Sequence, residues 1–218
     1  AAPRGAVVME LYNYWRSSAS YRVRIALALK GLDCTYRPVH LAHNEQFGES
    51  YAALSPTRLV PLLRDGDEVL WQSLAIIEYL DETHPEPPLL PADAAARARV
   101  RALAYDVACE IHPLNNLRVL RYLVHELDVS EADKNRWYRH WVESGLESVE
   151  RQLALAPATY CHGERPTLAD CALVPQIFNA RRFDCRTDHV PHVMRVFDAC
   201  MKLDAFERTR PEACPDAE

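Results

Sequence analysis

Apolar positions recur with two different periods along this chain, and the change falls near residue 90. The run VVMELYNY, residues 7–14, is short, apolar and aromatic, which predicts a strand. Residues 20–30 keep apolar positions at helical spacing and end on Lys30 and Gly31, both C-terminal helix signals. CTYRPVHL, from Cys34, predicts a second strand, and residues 44–54 a short or irregular helix. LVPLLRDGDEVLWQ sets two apolar runs around Asp65-Gly66, the signature of a hairpin. SLAIIEYLDETH is amphipathic, with Ser73 in the expected N-cap position. The first part therefore reads β-α-β-α-β-β-α.

HPEPPLLPAD, residues 84–93, carries four prolines in ten positions and suits neither helix nor central strand. It is the expected boundary between a domain at 8–88 and a second at 94–218. Beyond it, residues 94–126, 131–155, 167–180 and 190–204 keep helical spacing, and no convincing strand follows. The second domain is expected to be all-α. In PTLADCALVPQIF, Thr167 takes an N-cap position with Asp170 three residues on, a capping-box arrangement read as a folding signal. Pro175 interrupts that helix and predicts a kink.

Composition narrows the classes of function. The chain has 218 residues, 49% of them apolar and 26% charged, enough for one or two domains with a real core. A formal net charge of −6 argues against a general affinity for nucleic acid or anionic membrane. No uncharged apolar run approaches the roughly 18 residues of a membrane span. AAPRGAVV is too short and too mildly apolar for a secretory signal, and Met9 is a candidate internal start. The seven cysteines are scattered with no CxxC, which suits reduced thiols and a cytoplasmic location. The nine histidines show no HExxH. His189 and His192, three apart, read as sharing a helix face, but no third ligand lies nearby, so no metal site is expected.

The candidate chemistry sits in the turn Arg16-Ser17-Ser18-Ala19, between the first strand and its helix. A serine there can cap the helix. A helix N-terminus also favours anions and thiolates, through its free N–H groups and its dipole. The turn, Val60-Pro61 heading the hairpin, and Gln72-Ser73 opening the next helix resemble the glutathione-binding domain of the glutathione transferases. RSSASYRVRIALALKG, LVPLL, QSLAIIEYL, LLPAD, IHPLNNLRVL, PTLADCALVPQ and NARRF are similar to the zeta class of that family. The resemblance covers nearly the whole chain. It implies an α/β plus all-α architecture, a thioredoxin-like N-terminal domain followed by a glutathione-transferase-type helical domain.

The resemblance also implies the chemistry. A thioredoxin keeps its redox cysteines at this helix end, and this chain keeps serines, which suit holding the thiol of glutathione as thiolate. The first serine has that role in the zeta class and falls on Ser17, with Ser18 and Arg16 beside it. Members often carry cysteine at Ala19, so a mechanism needing a protein thiol there is not expected. Pro61 resembles the family's cis-proline, which turns the Val60 backbone outward to pair with the peptide like an added strand. Gln72 and Ser73 are expected on the γ-glutamyl carboxylate, Gln46 at the glycine end, and Asn115 where animal members have a reaching glutamine.

The implied activity is glutathione-dependent cis-trans isomerisation of a maleyl dicarboxylate. Maleylacetoacetate, from tyrosine and phenylalanine breakdown, is the foremost substrate. Maleylpyruvate, from gentisate breakdown, and transferase action on small α-halo acids are the alternatives. A binding protein without catalysis is the reading from another class. The two carboxylates of the substrate suit guanidinium groups. Arg16 lies beside the sulfur, and Arg182 in NARRF fits a substrate-binding position better than Arg181. Asn116 and Arg118 belong to a helix expected to face the substrate. The family implies a homodimer.

Overall fold

The structure is a computed structural model, and it describes residues 8–218. The readings made for residues 1–7 lie outside the described residues. The chain forms two compact units: residues up to Pro88 together with Leu203–Glu218, and Leu89–Lys202.

The first unit is built on four strands: β1 (Met9–Asn13), β2 (Cys34–Pro38), β3 (Leu62–Asp65) and β4 (Glu68–Trp71). Their order is β2-β1-β3-β4. β1 runs parallel to β2, with Leu11 opposite Tyr36, and antiparallel to β3, with Leu11 opposite Leu63. The β3–β4 hairpin turns on Gly66 at φ 62, a left-handed value that suits glycine. Met9, Leu11 and Asn13 point into the core, following the period of two along a strand.

Helix α1 (Ser18–Leu29) is buried over most of its circumference, from Ser20 to Leu27. It ends as its sequence predicts, at Lys30 and with Gly31 at φ 64. The Lys30 ammonium donates to the carbonyls of His84 and Pro87 at 2.8 and 2.9 Å and pairs with Asp81 at 2.7 Å. Short helix α2 (Glu49–Leu54) precedes the hairpin, and α3 (Ser73–Thr83) follows it and packs on α1. Ser73 is not the cap of α3 but its first helical residue. The cap position falls to Gln72, and the Ser73 hydroxyl instead accepts from Arg22 Nη1 at 3.2 Å.

The second unit is helical: α4 (Ala94–Tyr105), α5 (Leu117–His125), α6 (Glu131–Leu155), α7 (Leu168–Arg182) and α8 (Pro191–Cys200). One helix was expected over 94–126, and the chain breaks it. A π-helical turn (Asp106–Ile111) and a 3₁₀ turn (His112–Asn115) separate α4 from α5. Pro113 is the cause: it has no N–H to give Cys109, and its ring clashes with that carbonyl. Gly145 in α6 lies so near this turn that a Cβ there would fall 2.4 Å from Ile111 Cγ1. α7 is buried from Leu168 to Ile177 and carries Pro175 inside it. His189 precedes α8 and His192 lies in its first turn, so the two do not share a helix face.

The expected second domain ran to 218, whereas Leu203–Glu218, with the short helix α9 (Asp204–Glu207), groups with the sheet. Tyr21 of α1 donates its hydroxyl to the Phe206 carbonyl at 2.8 Å, and Phe206 is fully buried. The helical spacing read over 190–204 therefore spans a break at Cys200. Among the described residues no helix is long and apolar enough to cross a membrane.

Candidate active site

Ser17 is the N-cap of α1. Its backbone is extended, φ −70 and ψ 114, and its hydroxyl oxygen accepts from the Ser20 N–H at 3.2 Å. Its own O–H proton remains available, because a hydroxyl donates one hydrogen bond and accepts two. No acidic residue occupies the first turn of α1. The helix end therefore keeps its positive field and lacks an anion of its own. Ser17 is half-buried, while Ser18 and Ser20 are buried behind it. The cap uses one lone pair of the Ser17 hydroxyl and not its proton.

Arg16 is exposed and anchored. Its Nε and Nη2 donate to the buried Tyr14 hydroxyl at 3.1 and 2.9 Å, and its guanidinium lies 5.0 Å from the centroid of the Trp15 ring. The contact with Tyr14 and Trp15 holds a long cationic side chain next to Ser17 at a reduced entropic cost. Residue type and position pointed to Arg16. Nothing in the sequence pointed to Tyr14 as its holder.

The other first-unit candidates flank the sheet. The Val60-Pro61 bond is cis, as the resemblance implies, and the β1–β3 ladder ends at Leu62, short of Val60. A second cis bond, Glu86-Pro87, was not anticipated. Gln72 is exposed with φ 73, a left-handed backbone that costs a non-glycine residue of order 1–3 kcal/mol. Such a conformation persists only where the surroundings over-determine it, and here it starts α3. Ser73 is buried, 6% exposed, and bonded to Arg22. Gln46 is buried in a 3₁₀ turn, and its Oε1 has no hydrogen-bond partner among the described residues.

The second-unit candidates occupy two places. Asn115 is buried and donates to the Ile111 carbonyl at 3.2 Å, while its Oδ1 has no partner among the described residues. Asn116 caps α5: its Oδ1 accepts from the Arg118 N–H at 3.1 Å. Its Nδ2 lies 3.4 Å from His112 Nε2, which adds a histidine that sequence reasoning passed over. Arg118 is exposed in the first turn of α5. Arg182 is the last residue of α7, exposed, with its guanidinium 5.1 Å from the Phe183 ring centroid. Phe183 in turn stacks on Tyr138 at 3.7 Å. Arg181 instead lies over the Phe197 ring at 4.3 Å, which separates the two arginines of NARRF.

The thiols do not compete for this chemistry. All seven cysteines are free, and only Cys109 is exposed. Burial pushes the Cys34 and Cys185 thiols up to about 12, and raises those of Cys161 and Cys200 as well. Ligand-type atoms of His40, His43 and Glu218 lie within 4.8 Å of one another. The His40 ring is already engaged, with Nε2 on Glu218 at 2.9 Å and Nδ1 facing the His43 N–H at 3.3 Å.

A thioredoxin-like sheet whose first helix begins on a capping serine, with a cis-proline heading the hairpin, and a second unit that is all helical define the glutathione transferase class of architecture. The sequence models for "Glutathione S-transferase, N-terminal domain" and "Glutathione S-transferase, C-terminal domain" match residues 11–88 and 142–204. A probable maleylacetoacetate isomerase of Vibrio cholerae is 49% identical over 209 residues, covering 95% of this chain and 97% of that protein. A solved maleylpyruvate isomerase, described as a bacterial zeta-class enzyme, superposes with a TM-score of 0.94 at 49% identity, covering 96% of this chain and all of that one. A solved maleylacetoacetate isomerase of Anaeromyxobacter dehalogenans, with dicarboxyethyl glutathione and citrate bound in its active site, gives a TM-score of 0.87 at 44% identity, covering 97% and 94%. The chain belongs to the zeta class of the glutathione S-transferases.

Proposed function

We propose that this protein is a glutathione-dependent cis-trans isomerase of a maleyl dicarboxylate, and that its substrate is maleylacetoacetate, converted to fumarylacetoacetate. Ser17 carries the reading: a capping hydroxyl with its proton uncommitted, at a helix end without an acid of its own. Glutathione, when bound, supplies a thiolate that adds to the conjugated carbon, leaves a single bond free to turn, and departs.

The protein's part is to hold and to stabilise. Ser17 donates a hydrogen bond to the sulfur and keeps its proton, and the free N–H groups of α1 favour the thiolate charge. Ser18 lines the same turn. The Val60 backbone pairs with the peptide, and the α3 N-terminus at Gln72-Ser73 suits the γ-glutamyl carboxylate. The unpartnered Oε1 of buried Gln46 fits an N–H of the glycine end. Asn115, tied to Ile111 by one amide hydrogen, keeps an unpartnered oxygen for the same ligand. Arg16, Arg182, Arg118 and Asn116 supply donors to the substrate's carboxylates and to the charge that develops during addition.

The dicarboxyethyl glutathione bound by the Anaeromyxobacter enzyme supports this chemistry, since it is what thiol addition across a maleyl-type double bond would give. Maleylpyruvate is the second reading, supported by the close match to a maleylpyruvate isomerase. Each maleyl substrate, offered with and without glutathione and followed by ultraviolet absorbance, tests both. Turnover of maleylacetoacetate only with glutathione is expected, and turnover of neither substrate would overturn the reading. Arg182→Ala should lower kcat/KM about 10- to 150-fold, the worth of a charge-assisted hydrogen bond, with glutathione affinity little changed. A cytoplasmic homodimer completes the proposal: seven free thiols suit a reducing compartment, and light scattering at micromolar concentration should give a dimer.

A further inference from the structure

The segment Leu203–Glu218 does more than join the sheet unit: it holds the backbone behind the serine turn. Trp15 stands two residues before Ser17, and both polar groups of its backbone are bound. Its N–H donates to Asp216 Oδ2 at 3.3 Å, across 201 residues of sequence. Its C=O accepts from Arg24 Nη2 at 3.0 Å. Arg24 is buried and also donates to the Thr209 carbonyl at 3.1 Å, so the same segment is gripped from α1. The other oxygen of Asp216 accepts from the Tyr36 hydroxyl on β2. Cys214 shares a buried cluster with Tyr14, Trp15 and Val60. One short stretch of chain thus bonds the backbone leading to Ser17 and joins the cluster that holds Val60.

We propose that Asp216 is a positioning residue for the glutathione thiol: by pinning the Trp15 N–H it sets the direction in which the turn presents the Ser17 hydroxyl. The inference rests on the glutathione reading above. Residues 14–17 lie between β1 and α1, beyond the sheet's ladder; one backbone bond, from the Ser17 N–H to the Tyr14 carbonyl at 3.0 Å, closes the turn, and side-chain anchors hold the Trp15 peptide groups inside it. A carboxylate is a stronger acceptor for an N–H than a neutral oxygen. A hydrogen bond from Ser17 to sulfur weakens steeply with angle, so a small rotation of the turn is felt at the thiol. Charge and position act in opposite directions here. The negative charge of Asp216 near the turn disfavours a thiolate, whereas its grip on Trp15 favours one. The other charged and titratable groups around the turn are Arg16, Arg24, Tyr14, Tyr36, Cys214 and His40, which packs on Tyr14 and pairs with Glu218; all are the same in every variant below.

The test compares Asp216→Ala, Asp216→Asn and wild type as full chains. Glutathione affinity is read by calorimetry, and the pKa of the bound thiol by its ultraviolet thiolate absorbance. Asp216→Ala should weaken glutathione about 3- to 10-fold, the worth of one hydrogen bond, and raise the bound thiol's pKa. Asp216→Asn keeps an oxygen for the Trp15 N–H and should stay within about twofold of wild type. Asp216→Glu keeps the charge but moves the acceptor by one methylene, and should fall between the two. That variant carries the test if the alanine variant does not fold. The inference is overturned if Asp216→Ala melts lower yet keeps wild-type affinity and thiol pKa, or if Asp216→Asn is impaired as much as Asp216→Ala. Wild type that binds no glutathione would sink the glutathione reading itself, and this inference with it.

Discussion

Two helices of this chain begin on a hydroxyl residue and put opposite things at their positive ends. α7 begins after Thr167 and brings its own anion. Asp170 is fully buried and accepts from the Thr167 N–H at 2.7 Å, the Thr167 hydroxyl at 2.8 Å and the Cys161 N–H at 2.8 Å. Burial raises that carboxyl above its ordinary value, and these hydrogen bonds offset the rise only in part. Thiols stand beside it and stay protonated: Cys200 is 3.7 Å from Asp170 Oδ1, and burial pushes it up. α1 begins after Ser17 with no acid in its first turn, and its cap is half-buried. The same local device is filled from within at α7 and left open at α1, the end where the proposed thiol site lies.

The largest expected effect breaks the filled end. Asp170→Ala leaves two buried N–H groups and a hydroxyl without partners, each worth about 1–3 kcal/mol. Even at the lower bound of about 1 kcal/mol each, a total of about 3 kcal/mol should lower the melting temperature by at least roughly 6–12 °C in a chain of this size. Glutathione affinity of the folded fraction should not change, and calorimetry beside a thermal melt checks both. A variant that melts as wild type would show that Asp170 is not the anchor of α7.

A smaller change makes the open end resemble the filled one. Ala19→Asp places an acid in the first turn of α1. It should stabilise the helix by about 0.3–1 kcal/mol through the dipole. It should also weaken glutathione binding and raise the bound thiol's pKa, because the helix end then carries an anion already. Unchanged binding would mean that the open end is not where the thiol goes.

The smallest effect is a pattern of labelling. A raised thiol pKa means less thiolate at any given pH, and the thiolate is the reactive form. With Cys34 and Cys185 pushed up to about 12, alkylation between pH 7 and 9 should reach only exposed Cys109. Mass spectrometry of the native protein counts the adducts, and labelling at Cys161 or Cys200 would contradict the closed surroundings of α7.

Most of the fold was legible because its signals are local. The hairpin at Gly66, the end of α1 at Gly31 and the start of α7 at Thr167 each rest on residues within a few positions of one another. Pro113 was legible too, but the apolar spacing over 94–126 outweighed it, and the break was missed. Ser73 was taken for a cap because a serine before an apolar helix usually is one, and only the buried Arg22 beside it shows otherwise. The docking of Leu203–Glu218 on the sheet unit has no local signal, since Asp216 meets Trp15 across the whole length of the chain. For the site, Ser17, Arg16 and the cis Val60-Pro61 pair were reached through the family's motifs. Their holders, Tyr14, Arg24 and Asp216, were not, because each acts through geometry that the fold alone supplies.

The central claim, that Ser17 holds a borrowed thiol as thiolate, is tested most directly by titrating glutathione bound to wild type and to Ser17→Ala. The account predicts a bound thiol that ionises well below free glutathione in wild type and returns toward the free value in the variant. Loss of the cap should cost only about 1 kcal/mol of stability, so both proteins remain folded for the comparison. The isomerase defect of Ser17→Ala should then shrink as pH rises, because solvent base supplies the thiolate. A bound thiol with the same pKa in both proteins, or a defect that stays constant with pH, would contradict the account.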